Sequence, residues 1–270
     1  MTTYLDRILA AHRETASLDR RSLEDLLDSA RSYKDPRGFM RALVGGTPDE
    51  IAVIAEVKRR SPTRGDLDTG LDPAIVAGQY AIGGAACLSV LTDESFFGGS
   101  AGDLRAARLA VDLPVLRKDF TVDARDVCDA RIMGADAVLL IAAALDDLEM
   151  ADFHALSDEL GMDALVEIHD ETELERALAI GASLVGVNQR DLITFEVDPG
   201  RAARMVPLMP EGVVRVAESG IKDKTAAVAL KQAGYHALLV GESLVTAGDR
   251  AAAVRALCQP VGGRTAGDPD

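Results

Sequence analysis

The sequence is poor in aromatic residues and in positive charge. It contains no tryptophan, and aromatic residues make up only 4% of it. Its 29 Lys and Arg residues face 44 Asp and Glu residues, which gives a formal net charge of −15. These shortages argue against base-stacking platforms, phosphate-backbone tracking and anionic membranes. We therefore expect no nucleic-acid or membrane partner, whereas a small anionic ligand remains compatible with a local cationic pocket.

Cysteines and long apolar runs are also scarce. The three cysteines, Cys87, Cys128 and Cys258, are far apart and include no CxxC pair, so neither a disulfide framework nor a zinc site is indicated. The apolar run at 137–145 is too short to cross a bilayer. Charges in the N-terminal stretch MTTYLDRILAAHRE interrupt any signal-peptide core. We expect a cytoplasmic protein.

From residue 51 onward, short apolar runs alternate with helix-like stretches. Continuous rather than alternating hydrophobicity is typical of parallel strands that are covered on both faces. Eight such runs predict an α/β fold, a (β/α)8 TIM barrel over 49–260. A doubly wound open sheet is the alternative, although no G-x-G-x-x-G follows the first run. The predicted strands are 51–58, 86–92, 113–119, 136–142, 163–169, 183–191, 213–219 and 236–243.

The intervening stretches carry helix start and stop signals. In 72–84, Asp72 is the expected N-cap, Pro73 the first helical residue and a glycine the stop. Further helices are predicted at 123–134, 146–161, 170–181 and 222–234.

The two ends of the chain fall outside the predicted barrel. Residues 1–48 predict a helical extension that packs on the barrel, with a helix at 22–32 capped by Ser22 and a turn and short helix at 35–44. Residues 261–270 predict a disordered tail.

Polar residues collect where the predicted strands end. The stretch LPVLRKDF (113–120) delivers Lys118 to a strand end, and other strands end in the same way. Because the carboxyl ends of barrel strands share one rim, these residues predict an active site. SG at 219–220 and GES at 241–243 close the last two strands and predict a phosphate site. The polar residues at the rim are Glu56, Lys58, Lys118, Glu167, Asn188, Arg190, Glu218 and Glu242.

Acid and base candidates lie within this set. A lysine tuned by burial and neighbouring charge can serve as a general acid, and a partly buried glutamate as a base. Lys118 and Lys58 fit the first role, and Glu167 fits the second. Of the four histidines only His169 lies near the rim, and the sequence assigns it no role.

Several of these stretches together resemble indole-3-glycerol phosphate synthase. They are IAEVKRRSPTRG, LSVLTDESFFGGS, LPVLRKDF, ADAVLLI, LVEIH, GVNQRDL, AESGI and LVGES, in this order. The resemblance covers about residues 4 to 258. It implies a lyase of tryptophan biosynthesis that closes the indole ring of 1-(2-carboxyphenylamino)-1-deoxyribulose 5-phosphate and releases carbon dioxide and water. It implies no metal and no organic cofactor, since decarboxylation restores aromaticity.

The resemblance also assigns roles to residues. Lys118 would be the general acid of ring closure, and Glu167 the base of the dehydration. Lys58 would either pair with the substrate carboxylate or serve as a second acid. The positioning residues would be Glu56, Asn188 and Glu218, with Arg190 beside the site. The phosphate positions would be Ser61, Ser219, Gly220, Gly241, Glu242 (through its backbone N–H) and Ser243, and the apolar slot for the anthranilate ring would be Phe97, Phe120, Leu139 and Phe195.

Two departures from the family pattern lie in loops near the site: Thr63-Arg64, where serine and lysine are common, and Gln189.

Two other classes of protein remain open from the residues alone. One is another phosphate-binding barrel enzyme, such as a Schiff-base aldolase using Lys118 or an isomerase of phosphoribosyl anthranilate. The other is a non-catalytic sugar-phosphate binder. We expect a monomer, associated at most weakly with neighbouring enzymes of the pathway.

Overall fold

Eight parallel strands form a closed barrel in which each strand pairs with the next and the last returns to the first. The structure is a computed structural model that describes residues 3–47, 49–62 and 64–259. The strands are β1 Ala52–Val57, β2 Cys87–Leu91, β3 Val115–Lys118, β4 Ala137–Ile141, β5 Asp163–Ile168, β6 Leu184–Asn188, β7 Val214–Glu218 and β8 Ala237–Val240. The predicted (β/α)8 fold is therefore confirmed.

Barrel closure follows from the register between the first and last strands. Ala52 of β1 lies opposite Ala237 of β8, and Ile54 lies opposite Cys87 of β2. The strands are buried on both faces, as their continuous hydrophobicity predicts. Two predicted strands run too long at their carboxyl ends. The sixth ends at Asn188, and a short helix begins at Glu242 where the eighth was expected to continue.

Helices surround the barrel, and most of them begin at side-chain caps. Asp72 accepts hydrogen bonds from the backbone N–H groups of Ala74 and Ile75, with Pro73 in the first turn, and Gly84 ends that helix with positive φ. The helices are α1 Tyr4–Leu18, α2 Leu23–Arg31, α3 Phe39–Val44, α4 Pro73–Gly83, α5 Ala101–Ala110, α6 Ala124–Met133, α7 Asp147–Glu159, α8 Glu171–Ala179, α9 Arg201–Met205, α10 Lys224–Ala233, α11 Glu242–Val245 and α12 Arg250–Cys258.

Shorter elements complete the described chain. Two-residue strands at Arg60–Ser61 and Gly65–Asp66 form an antiparallel ladder after β1, and 3₁₀ turns cover Ala142–Ala144 and Val206–Leu208. Within the described ranges, none of the helices is both long enough and apolar enough to span a bilayer. The tail at 261–270, for which disorder was predicted, lies outside the described residues.

The N-terminal helices reach both ends of the barrel. Tyr4, Leu5 and Ile8 of α1 line a cavity at the carboxyl ends of the strands. Phe39 and Leu43 of α3 are buried in the core at the opposite end. There, Asp163 at the start of β5 accepts a hydrogen bond from the backbone N–H of Met40.

Candidate active site

A cavity of about 790 Å³ opens at the carboxyl ends of the barrel strands. Its walls come from strand ends, from the loops that follow them and from α1. Every residue that the sequence placed in the site lines it: Glu56, Lys58, Ser61, Phe97, Lys118, Phe120, Leu139, Glu167, Asn188, Arg190, Phe195, Glu218, Ser219, Gly220, Gly241, Glu242 and Ser243.

An ammonium group and two carboxyl groups form the centre of the cavity floor. Lys118 Nζ lies 3.1 Å from Glu167 Oε2 and 4.0 Å from Glu218 Oε2. Asn188 donates its side-chain N–H to Glu167 Oε1 at 3.0 Å, which leaves that carboxylate held from both sides. Both glutamates are almost fully buried, whereas the Lys118 side chain keeps 17% of its surface exposed. The ammonium therefore faces the space that a substrate would fill.

The three groups ionise differently although they are neighbours. Burial lowers the pKa of Lys118, but the carboxyl groups of Glu167, Glu218 and Glu56 outweigh it and raise that pKa above its usual range. Burial raises the pKa of Glu167, yet Lys118, His169 and the Asn188 hydrogen bond hold it well below its usual range. Burial and the charge of Glu167 raise the pKa of Glu218 well above its usual range. These surroundings thus favour a charged Lys118 and an ionised Glu167, and they favour the protonated form of Glu218.

Lys58 forms a second ion pair beside this centre. Its Nζ lies 2.5 Å from Glu56 Oε1, so the two side chains share one face of the strand end, as the two-residue period predicts. The Tyr80 hydroxyl donates to the Glu56 carbonyl oxygen at 3.1 Å and fixes the strand from behind. A Cβ on Gly241 would collide with Glu56 Oε1 and would lie 3.0 Å from Glu56 Cδ. The pair therefore depends on a glycine at the end of β8.

Glycine is also required under Glu218. The Glu218 carboxyl lies directly over Gly186 of β6, where an added Cβ would collide with Oε1 and lie 3.3 Å from Cδ. The same Cβ would lie 3.2 Å from Leu165 Cδ1, so the leucine side chain would also have to give way. Gly186 has no side chain, so nothing in the sequence indicates that it belongs to the site.

Aromatic side chains form one wall of the cavity. The Phe97 and Phe120 rings lie 6.1 Å apart, and Leu139 lies on the same cavity surface. Across the mouth, Tyr4 packs edge-on against Phe195 with ring centroids 5.4 Å apart. Tyr4 was missed by the sequence analysis, because nothing in the pattern of α1 indicates that it crosses the mouth.

A histidine fastens α1 to this wall. His12 Nε2 lies 2.9 Å from Asp93 Oδ2 and 3.9 Å from Asp119 Oδ1, and its ring lies 5.4 Å from the Phe120 ring. Burial lowers the pKa of His12, but Asp93 and Asp119 outweigh it and raise that pKa. The sequence placed His12 only in a helix-like stretch and missed this contact.

The ligand atoms of His12, Asp93 and Asp119 lie within 4.8 Å of one another, a spacing compatible with a metal ion. Their atoms already have partners, however. Asp93 accepts hydrogen bonds from two backbone N–H groups of the next turn, and the Arg117 guanidinium lies 3.0 Å from Asp119 Oδ2. The guanidinium opposes a second cation, so we assign the cluster to fastening α1.

The opposite side of the cavity is built from the loops after β7 and β8. Ser219 and Gly220 have positive φ values of 65° and 74° in succession. The Ser243 hydroxyl donates to the Ile221 carbonyl oxygen at 3.0 Å and ties the two loops together. Lys222, which the sequence analysis missed, adds a cationic side chain to this part of the lining. The arrangement suits an anion held between two loops.

The loop departures have defined neighbours. Arg64 Nε lies 2.9 Å from Glu242 Oε1 and links the loop after β1 to the start of α11. Gln189 donates its side-chain N–H to the Ser219 carbonyl oxygen at 2.9 Å and braces the loop after β7. Arg190 donates to the Phe195 carbonyl oxygen at 2.9 Å and so shapes the loop that carries this ring. Thr63 lies outside the described residues.

Known proteins resemble this chain over nearly its full length. The family model for indole-3-glycerol phosphate synthase matches residues 5–257. An indole-3-glycerol phosphate synthase of Nocardioides sp. is 50% identical over 252 residues, which cover 92% of this chain and 93% of that protein. The enzyme of the same name from Chlorobium phaeovibrioides is 46% identical over 243 residues, with 89% and 94% covered.

Solved structures show the same fold at low sequence identity. A 3-hexulose-6-phosphate synthase aligns with a TM-score of 0.60 and 19% identity, covering 77% of this chain and 97% of that chain. A thiamine phosphate pyrophosphorylase from Pyrococcus furiosus aligns with a TM-score of 0.59 and 15% identity, covering 81% and 95%. These likenesses concern the fold alone. The sequence relatives and the family model confirm the resemblance read from the strand-end motifs: the chain belongs to the indole-3-glycerol phosphate synthase family.

Proposed function

We propose that this cavity closes the indole ring of 1-(2-carboxyphenylamino)-1-deoxyribulose 5-phosphate, with Lys118 as general acid and Glu167 as base. The family is one of ring-closing, decarboxylating lyases of tryptophan biosynthesis. The observation that carries the assignment of roles is the 3.1 Å contact between Lys118 Nζ and Glu167 Oε2 on the floor of the cavity. It places a proton donor and a proton acceptor against the same small volume.

Ring closure needs a proton on the substrate's ketone oxygen while the aryl carbon attacks the ketone carbon. The carboxyl groups around Lys118 favour its charged form, which carries the proton to be donated. A substrate carbonyl that displaces water around the ammonium would receive that proton as negative charge develops on its oxygen. Loss of carbon dioxide then restores the aromatic ring.

Dehydration needs a base that takes up a substrate proton and an acid that protonates the leaving hydroxyl group, so that water departs. Glu167 is a weak base while the neighbouring Lys118 ammonium lowers its pKa. Once Lys118 has given up its proton, that lowering is relieved and the Glu167 carboxylate becomes more basic. The two residues would therefore act in sequence, the acid step preparing the base step. Burial and the charge of Glu167 raise the pKa of Glu218, so its protonated form would supply a hydrogen-bond donor to a hydroxyl of the sugar chain.

The substrate's two ends would lie on opposite sides of this centre. The phosphate would occupy the loops after β7 and β8, held by backbone N–H groups near Ser219, Gly220 and Gly241. Ser61, Glu242 and Ser243 line the same region, with Glu242 contributing its backbone N–H. The anthranilate ring would lie against Phe97, Phe120, Leu139 and Phe195, beside Arg190. Lys58 would either hold the ring carboxylate or act as a second acid, with Glu56 orienting it in both cases.

The decisive experiment replaces Lys118 with alanine and follows indole fluorescence as product forms. We expect kcat to fall by about 10² to 10⁴-fold, the usual contribution of a general acid, while substrate binding remains measurable. Lys231→Ala is the matched control, because Lys231 lines a separate cavity at the other end of the barrel. Activity of Lys118→Ala within about tenfold of wild type would refute the acid assignment.

A Schiff-base mechanism at Lys118 makes a different prediction. Borohydride with substrate would trap a covalent adduct on Lys118 in an aldolase, and none should form here.

We further propose that the chain works as a cytoplasmic monomer, in which residues 1–48 form a helical extension on a catalytic barrel of 49–260. Gel filtration with light scattering tests the monomer.

A further inference from the structure

His169 stands behind the proposed base and takes no part in the mechanism above. It follows Glu167 by two residues, so both side chains point to the same side of the chain. Its Nε2 lies 3.6 Å from Glu167 Oε1. Its Nδ1 lies 3.0 Å from Glu173 Oε2 in α8, and its backbone N–H donates to the same oxygen at 2.7 Å. Glu173 therefore fixes the ring orientation.

The second ring nitrogen has an unsatisfied position. In the described residues, His169 Nε2 is a buried atom with no hydrogen-bond partner. Since the Glu173 carboxylate only accepts, the proton on Nδ1 is fixed by geometry. A neutral ring would then aim the Nε2 lone pair at the Glu167 carboxylate. An imidazolium would aim an N–H at it, which is the favourable arrangement inside a buried site.

Three charged groups face the His169 ring from the elements around it. Glu167 belongs to β5, Glu173 to α8 and Arg201 to α9, whose guanidinium donates to the Asn188 carbonyl oxygen at 2.9 Å. Burial and Arg201 lower the pKa of His169, but Glu173 and Glu167 outweigh them and the pKa is raised. The surroundings thus favour the charged ring, in agreement with the geometry.

We propose that His169 is a positioning residue for Glu167: as an imidazolium held by Glu173, it keeps the Glu167 carboxylate ionised and oriented while Lys118 has no proton. The proposal rests on the acid and base roles given above. When Lys118 protonates the substrate, Glu167 loses the charge of its nearest cation. His169 is the cation that remains beside it, together with the neutral donor Asn188.

Two substitutions separate the two ring nitrogens. In His169→Asn, the side-chain amide can still donate to Glu173 but has nothing that reaches Glu167. In His169→Gln, the longer side chain can place a neutral N–H near the Nε2 position. We expect kcat to fall by about ten- to a hundredfold in the asparagine variant, the range of a hydrogen bond to a charged group, with KM little changed. Glutamine should recover part of that loss.

The pH profile distinguishes positioning from a structural role. The raised His169 pKa predicts that wild-type kcat declines as pH rises through that pKa, above the ordinary imidazole value of about 6.5. Both variants should lack this decline. An asparagine variant within about twofold of wild type would overturn the proposal. So would variants that lose activity at every pH but keep the alkaline decline.

A measurement on the unaltered protein guards against misfolded variants. With ¹⁵N-labelled histidine, NMR spectra report whether each ring is charged, and the His169→Asn spectrum identifies the missing signal among the four histidines. At pH 6.5 we expect the His169 ring to be mostly charged, and a mostly neutral ring would overturn the proposal. If Lys118→Ala is inactive while His169 proves neutral, only the positioning role fails and the proposed reaction stands.

Discussion

Replacing Gly186 with alanine should damage the active site without replacing any ionisable residue. The new Cβ would occupy the space of the Glu218 carboxyl, whose Oε1 must move by about 1.4 Å to regain a normal contact distance of about 3.5 Å. The Leu165 side chain would also have to shift slightly. Overpacking of this kind costs about 1 to 3 kcal/mol of the free energy of unfolding. A displacement of about 1 Å in a catalytic constellation costs about 10²-fold in rate.

Urea unfolding and indole fluorescence measure the two effects of Gly186→Ala separately. Gly78→Ala is the control, because a Cβ at this position in α4 meets nothing within 4 Å. It should leave kcat unchanged and raise the free energy of unfolding by about 0.5 to 1 kcal/mol, as alanine does in a helix.

A double mutant tests the cause. Glu218→Ala empties the space that the new methyl group needs, so Gly186→Ala should cost much less stability in that background. Equal stability losses in both backgrounds would refute the steric argument. So would a Gly186→Ala enzyme that is as stable and as active as wild type.

Two further predictions concern the contacts of α1. Because the pKa of His12 is raised in the folded state, its contact with Asp93 stabilises the fold fully below pH 6.5 or so, and this contribution is lost as pH rises through the raised pKa. Urea unfolding should therefore show His12→Gln to be less stable than wild type by about 1.5 kcal/mol at pH 6. This difference in the free energy of unfolding should become smaller at alkaline pH. A difference that stays constant with pH would contradict the prediction. Tyr4→Ala removes ring contacts with Phe96 and Phe195, each worth about 0.5 to 1.5 kcal/mol. Steady-state kinetics should therefore show a raised KM while Lys118 and Glu167 keep their roles. An unchanged KM would contradict this prediction.

The sequence predicts most of the barrel because its signals are local and repeated. The composition of runs such as 136–142 indicates a buried strand, and Asp72 followed by Pro73 indicates the start of a helix. Parallel strands all end at one rim, so Lys118 and Glu167 could be brought together before any coordinates were known. Helix α5 was not predicted, although Ser100 caps it by accepting from the backbone N–H of Asp103.

Ionisation states could not be read in the same way. Glu167 and Glu218 look alike in the sequence, each at the end of an apolar run. Only their positions relative to Lys118 and to each other lower the pKa of Glu167 and raise the pKa of Glu218. The path of α1 across the mouth is also a long-range result, set by contacts such as His12 with Asp93 that are far apart in the chain.

The two ends of the N-terminal segment bury different numbers of apolar side chains against the barrel. In α1 the buried residue is Ile8, whereas α3 buries both Phe39 and Leu43 in the core. Between them, Arg131 of α6 donates hydrogen bonds to the carbonyl oxygens of residues 33 and 34 and anchors the middle of the segment. Local opening is easiest where few apolar groups are buried. Opening of α1 would therefore cost less than release of α3, so the cover of the cavity and the integrity of the barrel depend on different parts of one segment.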